Sequence, residues 1–156
     1  MNTSVNLDDI DRRILHALQI DASQTNSELA QAVHVSPPTC LRRVKHLMET
    51  GVIQRQVAIV APEKVGVQLT AVVEISLDIQ AAERMTEFEA LVAHEDAVLQ
   101  CYRVAPGPDF VLIVQVVDMP AYHALAHRLF ATQANVRNVK AYFSTFRSKF
   151  ETRIAV

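Results

Sequence analysis

The sequence predicts an α+β protein with two domains, an N-terminal winged-type helix-turn-helix and a C-terminal ferredoxin-like βαββαβ domain. Three observations lead to this prediction. Residues 1–60 contain three short segments with helical periodicity, separated by helix-start signals. Residues 68–156 alternate between strand and helix patterns in the order β-α-β-β-α-β, the split ferredoxin-like arrangement. Residues 61–67 include Pro62 and Gly66, break both patterns, and are predicted to be a linker.

Composition excludes several classes of protein. The chain has 156 residues, 50% of them hydrophobic and only 3 of them glycine, so it can bury a core of ordinary size. Cys40 and Cys101 are far apart, which predicts neither a disulfide framework nor a cysteine-rich zinc site. No stretch has the pattern of a membrane span or a signal peptide. We therefore expect a soluble, cytoplasmic protein without a membrane segment.

The net charge of −2 is unevenly distributed. Residues 67–135 hold 3 basic and 9 acidic residues, whereas the segment from Pro37 to Arg55 holds 4 basic residues and 1 acid. A local basic patch is what a DNA-reading element needs. The same patch is also compatible with an ordinary solvated helix face.

Capping signals predict the first two helices. Asp8, with Asp11 three residues later, can begin a helix whose apolar positions follow the helical period. Thr25 and Glu28 form a T-x-x-E capping box before a second, short helix. His34 with the residue that follows it is expected to make a tight connection to a third helix.

The third helix carries the prediction of DNA binding. Ser36 is its expected N-cap, Pro37 its first residue and Gly51 its C-terminal cap residue. Its inward stripe consists of Cys40, Val44 and Leu47. Its opposite face presents Pro38, Arg42, Lys45 and His46, flanked by Thr39 and Arg43. A tight turn followed by such a helix predicts a helix-turn-helix, with a purely structural helical bundle as the alternative.

Several of the candidate DNA-binding residues have an expected role. Arg42 and Lys45 are expected to read base edges, and Arg43 and Ser36 to hold phosphate. The alternating segment Val52–Val60 is predicted to be a strand that acts as a wing or hinge. The full set of candidates is Ser36, Pro38, Thr39, Arg42, Arg43, Lys45, His46 and, as a wing contact, Arg55.

Six segments predict the second domain. They are strand 69–77, helix 81–94, strands 98–105 and 110–117, a helix from Pro120, and strand 136–146. The first and third strands are expected at the centre of the sheet. The third strand is apolar on both faces, but two helices can cover only one face of the sheet. An uncovered apolar face implies a partner, so we expect at least a homodimer through this domain.

The segment LDDIDRRILHALQIDASQTNSELAQAVHVSPPTCLRRVKHLMETGVIQ resembles the N-terminal signature of the Lrp/AsnC, or feast/famine, family of transcriptional regulators. SPPTCLRRVKHL, residues 36–47, is especially similar to the bacterial Lrp branch. The resemblance continues through nearly the whole chain. It implies a regulator that binds double-stranded DNA through its third helix and an amino acid between its sensor domains, with no other cofactor. It also implies dimers that can assemble into octamers.

The resemblance further implies an effector site near the turn between the second and third strands. Asp109 matches the family's Gly-x-x-Asp pattern, whereas Pro106 stands at the glycine position and Gly107 follows one place later. Val139 and Ala141 stand where the last strand of the family often has threonines. The implied effector residues are Ala105, Pro106, Gly107, Asp109, Val139 and Ala141. The missing hydroxyls favour a more apolar ligand, or none.

Two other functions stay open from sequence. His123 and His127 are spaced i, i+4 and could chelate a metal in a small enzyme, but no third ligand or catalytic constellation accompanies them. We therefore expect no catalytic and no metal-binding residues. The other alternative is an architectural, chromatin-like DNA-binding protein without effector control.

Overall fold

A computed structural model describes residues 5–156 of the protein and divides the chain into two compact units. The first unit takes in the chain through Ile59 together with Lys149–Val156, and the second is Val60–Ser148. Residues 1–4, which belong to the predicted first domain, lie outside the described residues. None of the helices described is long and apolar enough to cross a membrane.

Three helices build the first unit: α1 (Asp9–Ile20), α2 (Asn26–Ala32) and α3 (Pro37–Glu49). The predicted cap at Asp8 and the predicted capping box at Thr25 both form, and the structure shows a capping box at Asp8 as well. The Asp8 carboxylate accepts from the Asp11 amide over 2.9 Å, and Thr25 Oγ1 accepts from the Glu28 amide over 3.2 Å. These bonds satisfy amides that have no partner within the helix, so each helix begins at its capping residue.

The helices of the first unit share one apolar core. His34 lies in the left-handed region at φ +58° and makes the sharp connection between α2 and α3. This connection lets the apolar faces of the three helices pack together. The predicted inward residues Cys40 and Leu47 of α3 are fully buried, and Val44 packs against them. The buried members are Ile14, Leu15, Leu29, Ala30, Val33, Cys40 and Leu47.

The predicted strand Val52–Val60 is wrong. No strand of the described chain pairs with this segment, and Gln54 to Val60 are exposed. At its start the Ile53 amide donates to the Leu47 carbonyl over 2.9 Å, and Val52 and Ile53 pack against the core of the first unit. Alternating side chains suit a strand, but a strand also needs a neighbour for its backbone hydrogen bonds.

The final segment differs from the predicted domain range of 68–156, because Lys149–Val156 groups with the first unit. The Gln19 side-chain amide contributes to this grouping. Its Nε2 donates to the Ile154 carbonyl over 3.1 Å, and its Oε1 accepts from the Ile154 amide over 2.8 Å. One glutamine on α1 thus serves both backbone groups of one residue of the tail, as a neighbouring strand would.

The second unit has the predicted ferredoxin-like order. Its elements are β1 (Leu69–Leu77), α4 (Ala82–Ala93), β2 (Val98–Arg103), β3 (Phe110–Val116), α5 (Met119–Ala126) and β4 (Val136–Phe143). A 3₁₀ turn over Pro62–Val65 occupies the predicted linker, and a π-helical turn over His127–Ala131 extends α5. The antiparallel sheet has the order β2-β3-β1-β4, so β1 and β3 are central as predicted.

The two helices cover one face of this sheet. Phe110, Leu112 and Val114 of β3 lie on that face and are fully buried, together with alternate residues of β1. Val111 and Ile113 point to the other face and are only half-buried. The expectation that β3 is covered on both faces is therefore not met within one chain. The two helices form one layer over one face, and no other α-helix of residues 60–148 is available to cover the second face.

Candidate nucleic-acid interface and ligand sites

The outer face of α3 is exposed as predicted. Pro38, Arg42, Lys45 and His46 all lie at the surface, opposite the buried stripe of the same helix. Lys45 Nζ approaches Glu49 Oε1 at 3.7 Å, a loose surface contact. Arg42 makes no ion pair with any residue that the structure describes. This face can therefore bring two cationic side chains to a ligand without breaking a buried interaction.

The start of α3 differs from prediction in one hydrogen bond. Ser36 occupies the N-cap position, but its side chain caps no backbone amide; its hydroxyl donates to Thr39 Oγ1 over 2.8 Å. Pro37 and Pro38 follow, and neither has a backbone N–H. The helix therefore has fewer amides to satisfy at its start, and a side-chain cap is not needed.

Arg43 faces the body of the first unit. Its Nη1 lies 2.8 Å from Asp8 Oδ2 and 2.8 Å from Asp11 Oδ1, and its side chain is 20% exposed. These contacts raise the pKa of Arg43. The pKa of the Asp8 carboxyl is lowered, first by the Asp11 amide and then by Arg43. Because two carboxylates already neutralise the guanidinium, the placement does not suit the predicted phosphate contact.

The other flanking candidates lie around this face. Thr39 is partly buried beside the Ser36 hydroxyl. Arg55 is exposed, but it sits in the irregular segment where the sequence predicted a wing. The structure therefore gathers Pro38, Arg42 and Lys45, with His46, on one helix face and leaves Arg55 outside it.

The β2–β3 turn holds Asp109 as a buried structural group. Asp109 is 7% exposed, and its carboxylate accepts from the Leu77 amide over 2.6 Å. Its own amide donates to the Ile75 carbonyl over 2.8 Å. Gly107 has φ +126°, a conformation that side-chain-bearing residues rarely adopt. Ala105 and Pro106 are exposed beside it. The turn is thus fixed onto β1, with exposed backbone at its tip.

Val139 and Ala141 lie on β4, away from that turn. Val139 pairs with Ile75, and Ile75 pairs with Phe110 on its other side, so the three residues form one row across the sheet. Val139 is therefore two strand spacings, about 10 Å, from the strand that begins after Asp109. Within one chain, the structure does not bring Val139 and the turn into contact across β1.

A cleft lies beside β4 that the sequence analysis did not predict as a site. It has a volume of about 590 Å³ and is bounded by α5, the π-helical turn and β4. Its lining residues are His123, Ala126, His127, Phe130, Ala131, Val136, Arg137, Asn138 and Val139. Two signals in the sequence fall on this cleft, the spacing of the two histidines and Val139 among the implied effector residues. Their convergence with Arg137 depends on how α5 packs along β4.

The residues described contain no group of three or more histidines, cysteines, aspartates or glutamates placed to hold a metal ion. Cys40 is buried in the first core, and its burial raises the pKa of the thiol. A raised pKa disfavours the reactive thiolate. The site geometry thus centres on a basic helix face, a fixed turn and a cleft.

Two family models match the chain. The AsnC-type helix-turn-helix domain matches residues 7–48, and the Lrp/AsnC ligand binding domain matches residues 70–154. The chain belongs to the Lrp/AsnC family. This Lrp/AsnC chain is 33% identical over 150 residues to the DNA-binding transcriptional activator DecR of Escherichia coli K12, covering 96% of this chain and 99% of DecR.

Solved structures of Lrp/AsnC-type regulators share this fold. An AsnC family transcriptional regulator from Agrobacterium tumefaciens aligns with a TM-score of 0.89 and 33% identity, over 95% of this chain and 96% of that one. A transcriptional regulator from Neisseria meningitidis, solved as an L-Met complex, aligns with a TM-score of 0.89 and 30% identity, over 96% of each chain. The fold predicted for this Lrp/AsnC protein is therefore confirmed.

Proposed function

We propose that this Lrp/AsnC transcriptional regulator reads double-stranded DNA through the outer face of α3, and that a small effector such as an amino acid modulates its binding. The observation that carries the proposal is the division of α3 into two faces. Cys40 and Leu47 anchor the helix in the core, and Arg42 and Lys45 project from the exposed side. An anchored helix with a free cationic face is the form in which a helix-turn-helix enters the major groove.

Base recognition rests mainly on Arg42. A guanidinium can donate two hydrogen bonds to the O6 and N7 acceptors of guanine, the commonest specific contact in the major groove. Lys45 lies almost one helical turn further on and can reach a neighbouring base or phosphate. Pro38, Thr39 and His46 supply the surrounding surface. Ser36 and Arg55 are proposed as contacts to the DNA backbone, which add affinity without sequence information.

The open sheet face supports the proposed homodimer. Tyr142, Val72 and Ile113 pair in one row across the sheet, on the face that the helices leave uncovered. Tyr142 is 54% exposed there. A second copy packed on this face would bury these side chains and place two α3 helices on one pseudo-palindromic site. Octamers would require further contacts between such dimers.

The proposed effector site comprises Ala105–Gly107, Asp109, Val139 and Ala141. The L-Met complex of the Neisseria relative supports an amino-acid effector. In one chain Asp109 is committed to the Leu77 amide, so the exposed backbone of the turn offers the nearer hydrogen-bonding groups. An effector acts only through different affinities for two states of the assembly. This regulator needs no catalytic group and would act in the cytoplasm, where its DNA lies.

Selection of bound duplexes from a random DNA library tests this function. We expect the unaltered chain to enrich one pseudo-palindromic motif, and Arg42→Ala to weaken its binding to that motif by about tenfold or more. Arg13→Ala, an exposed arginine on α1, is the matched control and should change affinity far less. Enrichment of no motif, with broad binding that no amino acid alters, would favour the architectural alternative.

A further inference from the structure

The cleft between α5 and β4 is lined by basic side chains and by no acidic one. One arginine and two histidines, Arg137, His123 and His127, line it, and none of its lining residues is acidic. The second unit, Val60–Ser148, holds 10 acidic and 7 basic residues, so the absence of an acid from this lining is a local feature. A cationic side chain in a concave surface without acidic residues can attract an anion.

The floor of the cleft is apolar. Phe130, Ala131 and Val139 lie there with Ala126 and Val136, and Phe130 itself is fully buried as part of the core. The volume of about 590 Å³ is within the range of small-molecule sites. Such sites combine a mostly apolar lining with a few polar groups that orient the ligand.

Arg137 is available to a ligand. It is exposed, and it forms no ion pair with any residue in the described part of the chain. A guanidinium pairs with a carboxylate through two parallel hydrogen bonds, and a histidine ring can donate a further N–H. The ammonium of an amino acid would find no carboxylate among the lining residues.

We propose that this cleft binds a small organic acid, a carboxylate with an aliphatic tail and no ammonium group. The carboxylate pairs with Arg137 between the histidines, and the tail lies on the floor against Phe130 and Val139. This goes beyond the proposed amino-acid effector. The cleft shares Val139 with the proposed effector residues, whereas the turn at 105–109, which holds most of them, does not line it. The proposal rests on the cleft alone and does not require the proposed function.

Three probes with one aliphatic skeleton test the proposal by ligand-observed NMR titration of the full chain. They are 4-methylpentanoate, the neutral 4-methylpentanamide, and L-leucine, which adds an ammonium group. We expect saturable binding of the carboxylate and at least about tenfold weaker binding of the amide, because a charged hydrogen-bonded pair is lost. L-leucine should bind the cleft at least about fivefold more weakly than the carboxylate.

Two variants locate the binding. Arg137→Gln should lower the affinity for 4-methylpentanoate at least about fivefold. Lys140→Gln removes the same charge from the same strand, but Lys140 pairs with Glu74 on the open sheet face and does not line the cleft, so it should leave the affinity unchanged. Both residues are exposed, and thermal melts will verify that both variants fold.

The outcomes separate this proposal from the proposed function. No carboxylate binding, equal binding of the amide, or unchanged binding by Arg137→Gln would each overturn the cleft proposal. Enrichment of DNA motifs by the same preparation would then show that the proposed function still stands. Loss of DNA recognition with intact carboxylate binding would instead overturn the proposed function and leave the cleft proposal supported.

Discussion

Arg43 on α3 and Asp11 on α1 are joined by a hydrogen-bonded ion pair of 2.8 Å, with side chains only 20% and 12% exposed. Asp8, the cap of α1, accepts from the same guanidinium nitrogen. One arginine therefore ties α3 to the N-terminus of α1. The neighbouring Arg42 lies about 100° further around α3 and is exposed to solvent. The two adjacent arginines thus have different surroundings, and they should respond differently to substitution.

Replacing each arginine by alanine should affect either the stability of the first unit or its affinity for DNA. Arg43→Ala should destabilise the first unit by about 1–2 kcal/mol, because Asp11 is left partly buried without its cation. Arg42→Ala should leave stability nearly unchanged and weaken DNA binding instead. Urea unfolding and DNA-binding anisotropy measure the two effects. A stable Arg43→Ala variant with a strong loss of DNA affinity would show that Arg43 contacts phosphate after all.

Low pH should reduce the stability contributed by the cluster of Asp8, Asp11 and Arg43. The pKa of Asp8 lies below its ordinary value of 3.8, chiefly because the Asp11 amide and Arg43 bind the carboxylate. The stability from this carboxylate is therefore present above pH 3.8 and is lost as the pH falls through the folded-state pKa. Asp8→Asn should show a flatter decline of unfolding free energy below pH 4 than the unaltered chain. Parallel acid declines in both proteins would contradict this account.

Two hydroxyl residues at helix starts should differ in importance. Thr25 caps α2 through its hydroxyl, whereas the Ser36 hydroxyl bonds only Thr39 Oγ1. Thr25→Ala should cost about 1 kcal/mol of stability, and Ser36→Ala should cost much less. Thermal unfolding of the two variants makes the comparison, with the unaltered chain as reference. Equal losses would mean that Ser36 caps α3 in solution.

Gln19 should hold the C-terminal segment in place. Its amide makes both hydrogen bonds to the Ile154 backbone, so Gln19→Ala should release residues 149–156 from the first unit. We expect faster exchange of the Ile154 amide and faster proteolysis of the segment. Gln31→Ala, an exposed glutamine on α2, is the control. Unchanged exchange in Gln19→Ala would show that other contacts hold the tail.

The open sheet face should control assembly. Ile113→Lys places a charge in the half-buried apolar row of that face and should shift a dimer toward monomer. Val65→Lys changes an exposed residue of the 3₁₀ turn and should leave assembly unchanged. Sedimentation velocity gives the oligomeric state. A dimer that survives Ile113→Lys would place the interface elsewhere.

Local patterns in the sequence were sufficient for most of the fold. The capping boxes at Asp8 and Thr25, the stripe of Cys40 and Leu47, and the order of strands and helices all depend on residues close together in the chain. These features depend on interactions between residues close in sequence. A cap accepts hydrogen bonds from amides of the first turn, and the helical period places apolar side chains on one face. The α3 face with Arg42 and Lys45 followed from that sorting.

Tertiary structure decided the features that depend on distant neighbours. The segment 52–60 has strand periodicity, but no described strand lies beside it, so it forms no β-ladder. Arg43 lies on the flank of α3, and only the nearness of Asp8 and Asp11 turns it inward. The cleft exists because α5 and the π-helical turn lie beside β4, so that His123 and Arg137 line the same cavity. In each case the partner is distant along the chain, and only packing determines which groups meet.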